Sequence, residues 1–364
     1  VLRLAHLTTE DPARQAVYRW INTGGAMGDR EFVRKRNGIE SKVFYEATAD
    51  LPAIIQAMEE AKTADEARVV QLIRDANLPR ECIPTQHLNS AAVWDALLQK
   101  MPLTALTRNL AKMTSVGLIA PLSNGAKIVR EKLADQEYIK KSRLHPLAIL
   151  TALKTYSSGH GLKGSLSWQP VQPVVDALDS AFYLAFGNVT PANKRTLIGL
   201  DVSGSMSCGT IAGSPLTPRE ASAAFAMVIA KTEPDYAVMG FSSSFIHIDI
   251  SACSRLSDVL DKISGLPFAG TDCSLPMRWA GQNGVGVDTF LVITDNETWQ
   301  GPVHACQALK AYRDHSGIQA RSVVAGMTAS EFTIADPKDP LSMDVVGFDT
   351  AAPQVITDFS AGRI

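Results

Sequence analysis

Two different spacings of apolar residues divide the chain. Between Asp50 and Met113, apolar residues recur every three or four positions, as Ile54, Ile55 and Met58 do, and this spacing is typical of amphipathic helices. The helices are short, and short segments connect them. The pattern therefore predicts stacked helical hairpins, a helical-repeat architecture of the HEAT-like kind.

The predicted helices also carry signals for their first turns. Thr63 and Glu66 have the spacing of a capping box, in which each side chain bonds to the backbone N–H of the other residue. Ser90 precedes an apolar helical segment, so we predict that it is an N-cap.

The spacing changes after about Gly164, where apolar strands alternate with helices. The predicted strands are Thr196–Asp201, Tyr236–Phe241, Phe290–Thr294, Ser322–Ala325 and Met343–Val346, and the predicted helices lie near Arg219–Lys231, Leu256–Ile263, Val303–His315 and Pro353–Phe359. This alternation predicts a doubly wound, largely parallel sheet of the Rossmann-like kind. We place the boundary in the Gly- and Ser-rich segment 157–168 and expect a helical-repeat domain over residues 1–165 and an α/β domain over residues 166–364.

The charges are distributed unevenly between these two parts. The whole chain has a net charge of -2, but residues 1–165 hold 23 Lys and Arg against 17 Asp and Glu, and the remainder holds 12 against 20. Two interpretations fit this pattern: the basic part contacts a polyanion, or the charges lie on solvated helix faces. The charges alone leave both open.

Composition also limits the cellular setting. No run of about eighteen apolar residues is present, and the first residues lack the basic-then-apolar pattern of a signal peptide. The five cysteines are scattered without a C-x-x-C pair, so neither a disulfide framework nor a structural zinc site is predicted. We expect a cytoplasmic protein that does not contact membranes.

A polar cluster follows the first predicted strand of the α/β domain. Asp201, Ser203 and Ser205 stand at the end of that strand, and Thr271 and Asp295 stand at the ends of later strands or in their loops. Ligands of such sheets bind beyond the carboxyl ends of the strands. Carboxylate and hydroxyl oxygens suit a hard divalent cation, so the set predicts a site for Mg²⁺ or Mn²⁺. A Ser-rich N-cap turn is the alternative explanation of the first three residues.

Enzymatic interpretations of this cluster fit less well. A dehalogenase-like phosphatase needs a second acid where Ser203 stands, and a serine hydrolase needs a G-x-S-x-G motif that the chain lacks. Gly159–Ser165 has the glycine spacing of a P-loop without its lysine. A two-metal nuclease needs several clustered carboxylates, and the cluster offers Asp201 and Asp295. We therefore expect no enzymatic activity.

Longer motifs in both parts resemble one family. In the α/β part they include Gly270-Thr-Asp-Cys-Ser-Leu-Pro-Met and Ile293-Thr-Asp-Asn-Glu-Thr-Trp, and in the helical part Arg143-Leu-His-Pro and Gly159-His-Gly-Leu-Lys-Gly. The chain resembles the Ro autoantigen family, in particular its bacterial members, which join a TROVE module to a von Willebrand factor A domain with a metal-ion-dependent adhesion site (MIDAS). Family members begin with a helical segment that would precede Val1, so we expect this chain to be part of a longer protein.

The resemblance implies a function in RNA metabolism. Ro proteins form a ring of helical repeats that binds small noncoding Y RNA on its outer face and single-stranded 3′ ends of misfolded or immature RNAs in its central hole. Bacterial members act in RNA quality control, ribosomal RNA maturation and stress survival, and Y RNA links them to exoribonucleases. The resemblance thus implies a monomeric RNA-binding protein that does not bind DNA. The basic helical part agrees with this, because phosphate contacts need Lys and Arg.

Candidate RNA contacts are carried over or inferred in three places. His6 matches a family histidine on the Y RNA surface, and Arg3 lies beside it in the sequence; a packed helix histidine is the alternative. The other candidates are a pair four positions apart on one helix, where both side chains can project together, and a basic turn: Arg108 and Lys112, then Lys140, Lys141 and Arg143. A solvated basic turn is the alternative for the last three.

The sequence leaves two functions in competition. The first is a Ro-family RNA-binding protein. The second is an A-domain adhesion or assembly module that binds a carboxylate of a partner protein through the metal, with the helices as a scaffold.

Overall fold

The computed structural model describes residues 9–22, 30–36, 39–45, 51–266, 270–295, 301–328, 334–347 and 352–364. The chain forms two compact units, one made of residues 1–102 and 112–128, the other of residues 103–111 and 129–364. Each unit is therefore built from two separate stretches of sequence.

The first unit contains short helices and one β-hairpin. Its elements are α1 (Pro12–Asn22), β1 (Arg30–Arg36), β2 (Ile39–Tyr45), α2 (Ala53–Ala61), α3 (Glu66–Ala76) and α4 (Ala91–Lys100). The antiparallel hairpin of β1 and β2, which pairs Arg36 with Ile39, was not predicted. Successive helices pack against each other, α2 on α3 and α3 on α4, as the apolar spacing predicts.

The caps of these helices match the sequence prediction in one place and differ in another. Ser90 caps α4 by accepting a hydrogen bond from the N–H of Val93, so that prediction is confirmed. The capping box of Thr63 and Glu66 is wrong. Asp65 is the N-cap of α3 and accepts from the N–H of Arg68 at 2.8 Å, because a carboxylate one residue before Glu66 satisfies the free N–H instead.

Two helices pass from one unit into the other. These are α5 (Leu103–Ser115) and α6 (Asn124–Ala134). The second unit continues with α7 (Gln136–Ser142), α8 (Pro146–Ser158) and α9 (Gln172–Leu184). Helices α8 and α9 pack together. The segment between them is anchored by Trp168, whose ring stacks on Tyr156 and whose Nε1 donates to the Tyr156 carbonyl oxygen at 2.8 Å.

The rest of the second unit is a six-stranded sheet with helices on both faces. Its order is β5-β4-β3-β6-β7-β8, and every pair is parallel except β4 with β5. In chain order the elements are β3 (Thr196–Asp201), α10 (Pro218–Thr232), β4 (Tyr236–Phe241), β5 (Phe245–His247), α11 (Leu256–Ser264), α12 (Leu275–Gln282), β6 (Thr289–Thr294), α13 (Ala305–Ser316), β7 (Arg321–Gly326), β8 (Ser342–Val346) and α14 (Ala352–Ser360).

The predicted fold class is confirmed, because helices precede a doubly wound, mostly parallel sheet. The predicted strands agree with the structure to within one residue. The predicted helix Val303–His315 begins later, at Ala305, because His304 is its N-cap. Sequence reasoning missed α9, β5 and α12.

The topology fixes where a ligand site belongs. The chain places β4 on one side of β3 and β6 on the other, so the order of strands reverses between β3 and β6. Residue 199 in β3 must be glycine, since a Cβ there would lie 2.8 Å from Cγ of Pro276 in α12. The absence of a side chain lets α12 pack directly on the central strand.

Candidate functional site

Asp201 occupies the carboxyl end of β3, at the point where the order of strands reverses. Its side chain is 2% exposed. One carboxylate oxygen, Oδ1, accepts the N–H of Ser203 at 2.8 Å, and the other, Oδ2, accepts the hydroxyl of Thr294 at 2.7 Å. These two bonds hold the carboxylate at the crevice between β3 and β6.

The two serines of the D-x-S-x-S motif lie together beside it. Their hydroxyl oxygens are 3.0 Å apart, with Ser203 buried and Ser205 exposed to solvent. Both belong to the turn Ser203–Ser207 after β3, which is a single 3-10 turn. The motif therefore directs one carboxylate and two hydroxyls toward the same point.

Burial makes the Asp201 carboxyl a weaker acid than usual. Desolvation raises the pKa of Asp201 to about 6, against hydrogen bonds from Ser203 and Thr294 that lower it, and the charge of Asp295 raises it further. Two carboxylates that repel each other in a buried crevice are stabilised by a cation between them.

Asp295 follows β6 and supplies the second carboxylate. Its side chain is 8% exposed, and its Oδ1 is buried without a hydrogen-bond partner in the part of the chain that the structure describes. A buried carboxylate oxygen that lacks a donor is costly unless something else satisfies it. This oxygen is therefore open to a ligand.

Thr271 and its neighbour Asp272 reach the same end of the sheet from the loop before α12. Both are buried, and the N–H of Asp272 donates to the carbonyl oxygen of Ser242, which follows β4. The Asp272 carboxylate accepts from Ser274 and pairs with Arg278 at 3.2 Å. The Asp272 carboxylate is thus occupied by Ser274 and Arg278. Oδ1 of Asp295, in contrast, has no hydrogen-bond partner among the described residues.

Sequence reasoning missed two residues of this site. Thr294 bonds directly to Asp201, and Arg219 at the start of α10 donates from Nη2 to the carbonyl oxygen of Ser203 at 3.2 Å. Burial lowers the pKa of Arg219, while the charge of Asp201 raises it. The position of Thr294 just before Asp295 could have revealed it, but no sequence signal marks Arg219.

The residues present fit a hard divalent cation. Asp201 and Asp295 supply carboxylate oxygens, Ser203 and Ser205 supply hydroxyls, and Thr271 is buried at the same sheet end. Such oxygen-rich sets suit Mg²⁺ or Mn²⁺. Among the described residues, this site included, no group of three or more His, Cys, Asp or Glu side chains is arranged to hold a metal, so the set depends on hydroxyl oxygens beside its two carboxylates.

The basic turn predicted from the sequence lies on the surface of the second unit. Lys140 and Lys141 are in the last turn of α7, and Arg143 ends that helix with a left-handed backbone (φ 52°). The amide of Asn188 donates to the carbonyl oxygens of Ile139 (3.1 Å) and Leu144 (2.9 Å), which pins the turn from both sides.

All three cations of this turn are exposed, and none forms an ion pair within the residues that the structure describes. A turn whose backbone is held in place and whose three cations are unpaired is suited to bind phosphate, because no internal ion pair has to be broken on binding.

The other candidate RNA contacts differ in their surroundings. Arg108 is exposed on α5 and forms no ion pair with any residue described, whereas Lys112 donates from Nζ to Oδ1 of Asn89 at 2.8 Å. His6 and Arg3 lie outside the described residues.

Exposed basic residues of the helical part are mostly unpaired over the described residues 51–165. They are Arg74, Arg80, Lys100, Arg108, Arg130, Lys140, Lys141, Arg143 and Lys163. Most arginines of the sheet part instead pair with carboxylates, as in Arg195–Asp288, Arg255–Asp179, Arg278–Asp272, Arg313–Asp339 and Arg363–Asp358. The excess positive charge is therefore available on the helices.

Comparison with known proteins identifies the family of this chain. A family model described as the Ro60 vWA domain matches residues 195–360, and one described as the TROVE domain matches residues 76–158. The crystal structure of the Deinococcus radiodurans RO (RSR) protein superposes with a TM-score of 0.86 at 41% identity, over 100% of this chain and 70% of that one. The chain belongs to the Ro60 family.

Two curated relatives of the Ro60 family carry the name RNA-binding protein RO60. The protein of Deinococcus radiodurans is 42% identical over 365 residues, which is 100% of this chain and 65% of the relative. That of Caenorhabditis elegans is 41% identical over 298 residues, or 81% of this chain and 46% of the relative. The chain thus spans between about half and two thirds of the length of these relatives. Among the described residues, no helix is long and apolar enough to cross a membrane.

Proposed function

We propose that this protein binds RNA through its helical part. The observation that carries the proposal is the pinned turn of α7, where Lys140, Lys141 and Arg143 are exposed without ion pairs in the described structure. Phosphate neutralisation needs cations that are not already paired, and this turn presents three of them on a backbone that hydrogen bonds hold in place. The name RNA-binding protein RO60 of two relatives supports this proposal.

Membership of the Ro60 family extends the proposal to particular RNAs. The expected partners are small noncoding Y RNA and the single-stranded 3′ ends of misfolded or immature RNAs, with an exoribonuclease recruited through RNA. The roles would then be RNA quality control, ribosomal RNA maturation and stress survival in the cytoplasm. The protein's own residues would hold and orient RNA, and we assign them no catalytic step.

Charge reversal on the surface tests this function. Lys140→Glu combined with Lys141→Glu should weaken binding of a small structured RNA with a single-stranded tail by at least tenfold. The slope of log affinity against log salt should fall by about 1.4 to 1.8, since each lost phosphate contact removes about 0.7 to 0.9 from it. Fluorescence anisotropy over a range of salt measures both quantities.

A control with the same change in net charge is available in the sheet part. Lys310 and Lys338 are exposed and form no ion pair within the described residues, so Lys310→Glu combined with Lys338→Glu should change affinity little. If both double variants lost the same amount of RNA affinity, net charge alone would explain the effect. The basic turn of α7 would then not be the RNA-binding surface.

We propose in addition that the site at β3 and β6 binds Mg²⁺ or Mn²⁺. Asp201, Ser203, Ser205, Thr271 and Asp295 would hold the cation, and the open Oδ1 of Asp295 supports this proposal. Such a cation supplies an electrophilic coordination position for an anionic ligand. This also keeps the competing function open, in which a carboxylate of a partner protein binds the metal.

A further inference from the structure

A groove of about 500 Å³ opens in the second unit. Its walls come from α5, α8 and the segment Ile211–Leu216, which joins the MIDAS turn to α10. This volume lies within the range of about 300 to 1,000 Å³ that is typical of small-molecule sites. The metal site does not use this groove.

Small side chains keep the groove open. On α5, Thr104, Thr107 and Ala111 lie along one face at the three- and four-residue spacing of a helix, and Thr151 and Thr155 follow the same spacing on α8. Larger apolar residues at these positions would fill the space and pack the two helices together. Instead the walls carry hydroxyl groups.

One cation lies on the wall. Arg108 is exposed and has no ion-pair partner in the described parts of the chain, and no Asp or Glu occurs among the described residues that line the groove. A guanidinium offers five N–H donors in a planar fork, which suits the oxygens of a phosphate. The groove therefore favours an anionic ligand.

Two threonines are set up as acceptors. The hydroxyl of Thr107 donates to the Thr104 carbonyl oxygen at 3.2 Å, and that of Thr151 donates to the Leu147 carbonyl oxygen at 2.9 Å. Because each hydroxyl hydrogen is already used within its helix, each threonine oxygen can take part in a further hydrogen bond only as an acceptor. A ligand hydroxyl can therefore donate a hydrogen bond to either oxygen.

The groove also adjoins the basic turn along the chain. Leu144 lines the groove and directly follows Arg143. The backbone that carries the basic turn therefore continues directly into the wall of the groove.

We propose that the groove holds one nucleotide of single-stranded RNA, with its phosphate on Arg108 and its ribose 2′-hydroxyl donating to Thr107 or Thr151. This inference rests on the proposed RNA-binding function and adds a physical reason for preferring RNA to DNA. The 2′-hydroxyl is the group by which proteins distinguish the two.

The test compares a short fluorescein-labelled oligouridine with the 2′-deoxy oligomer of the same sequence by fluorescence anisotropy. Arg108→Gln removes the charge and should weaken binding of both oligomers by about tenfold. Thr107→Val combined with Thr151→Val keeps the side-chain shape. It should weaken RNA alone by about fivefold and so reduce the preference for RNA over DNA.

Matched controls separate these effects from charge and folding. Arg74→Gln removes an exposed, unpaired arginine on α3, and Thr63→Val alters a threonine that lies outside the groove. Lys310→Gln replaces an exposed cation of the sheet part that forms no ion pair among the described residues, and it serves as the control for which the RNA affinity should be unchanged. Arg74→Gln and Thr63→Val should leave the RNA preference over DNA unchanged, and melting temperatures report the folding of each variant.

The outcomes distinguish this inference from the proposed function. In one outcome, the unmodified protein binds RNA, the Lys140→Glu, Lys141→Glu double variant does not, and the groove variants behave as their controls. The groove inference is then wrong, and the proposed RNA-binding function stands. Equal weakening of RNA and DNA by the two valines would also overturn the ribose contact. If the protein binds neither oligomer nor a structured RNA, both proposals fall.

Discussion

The carboxylate of Asp201 is held in a fixed position at the carboxyl end of β3. It is buried, holds two hydrogen bonds and is close enough to Asp295 for the second charge to raise its pKa. Asp201→Asn keeps the shape of the side chain and removes its charge. The repulsion disappears, and with it the main attraction for a cation.

We therefore expect Mg²⁺ to raise the melting temperature of the unmodified protein and to leave that of Asp201→Asn unchanged. A cation at a hundred times its Kd stabilises the folded state by about 2.7 kcal/mol, because it binds only that state. Differential scanning calorimetry with and without Mg²⁺ measures the difference. Asp261→Asn, which removes an exposed carboxylate of α11, should retain the Mg²⁺ response. If Mg²⁺ still raised the melting temperature of Asp201→Asn, the D-x-S-x-S motif would be a serine-rich turn and not a cation site.

A second buried group makes the stability depend on pH. His145 caps α8 through Nδ1, which accepts from the N–H of Leu147 at 3.2 Å, and its Nε2 is buried without a hydrogen-bond partner in the described structure. Desolvation lowers the pKa of His145 from 6.5 to about 4. The folded protein thus keeps this imidazole neutral where the unfolded chain protonates it.

The free energy of unfolding should consequently fall as the pH is lowered from about 6.5 to about 4, with His145 contributing up to about 3 kcal/mol of the loss. Above pH 6.5 the group has no effect, since it is neutral in both states. His145→Asn retains a good N-cap and cannot titrate, so its stability should vary less over this interval. Urea unfolding at several pH values compares the two proteins, and parallel curves would rule out the assignment.

At the scale of elements, the first turns of the helices are fixed by single side chains. Ser90→Ala and Asp65→Ala each remove an acceptor from an N-cap and should each lower the free energy of unfolding by about 1 kcal/mol. Thr63→Ala should cost much less, because the Thr63 hydroxyl bonds to the carbonyl oxygen of Glu60 and caps no helix. Shifts in the urea midpoint measure all three. A loss for Thr63 equal to that for Asp65 would mean that the cap is assigned to the wrong residue.

The elements of the sheet part were largely predictable because the central strands β3, β6 and β7 are mostly apolar and buried and are bounded by polar turns. The hairpin of β1 and β2 was missed although Asn37-Gly38 is a strong hairpin signal. Its strands, Arg30–Arg36 and Ile39–Tyr45, do not alternate strictly between polar and apolar residues, so the periodicity typical of a strand is absent. Helix α12 begins within the motif that starts at Gly270, of which Thr271 was interpreted as a metal ligand.

The sequence predicts which residues meet at this end of the sheet but not their contacts, and the cation they would hold stays a prediction. The spacing of Asp201, Ser203 and Ser205 places them at the end of one strand, and the strand ends place Asp295 nearby. Nothing in the sequence indicates that Asp272 is occupied by Arg278 while Oδ1 of Asp295 remains open. Such differences depend on side chains from other elements, which the order of residues does not determine.

At the scale of the whole molecule, the uneven charge is sharpened by pairing. The sheet part neutralises many of its cations internally, whereas the helical part leaves a series of cations exposed. Net charge does not show where the unpaired cations lie, because an arginine beside its carboxylate contributes little to the local field that attracts a polyanion. The pairing is a property of the folded protein, so it was not visible in the sequence.

The division of the chain into two compact units has a consequence for how the protein can be cut or recombined. The backbone passes from one unit to the other at residues 102/103, 111/112 and 128/129. No single cleavage yields two intact pieces: a cut at the predicted boundary near residue 165 removes most of the second unit and leaves residues 103–111 and 129–165 without the rest of it. A homologous exchange of one module must therefore carry several breakpoints, and during synthesis the first unit cannot be completed until residue 128 has left the ribosome.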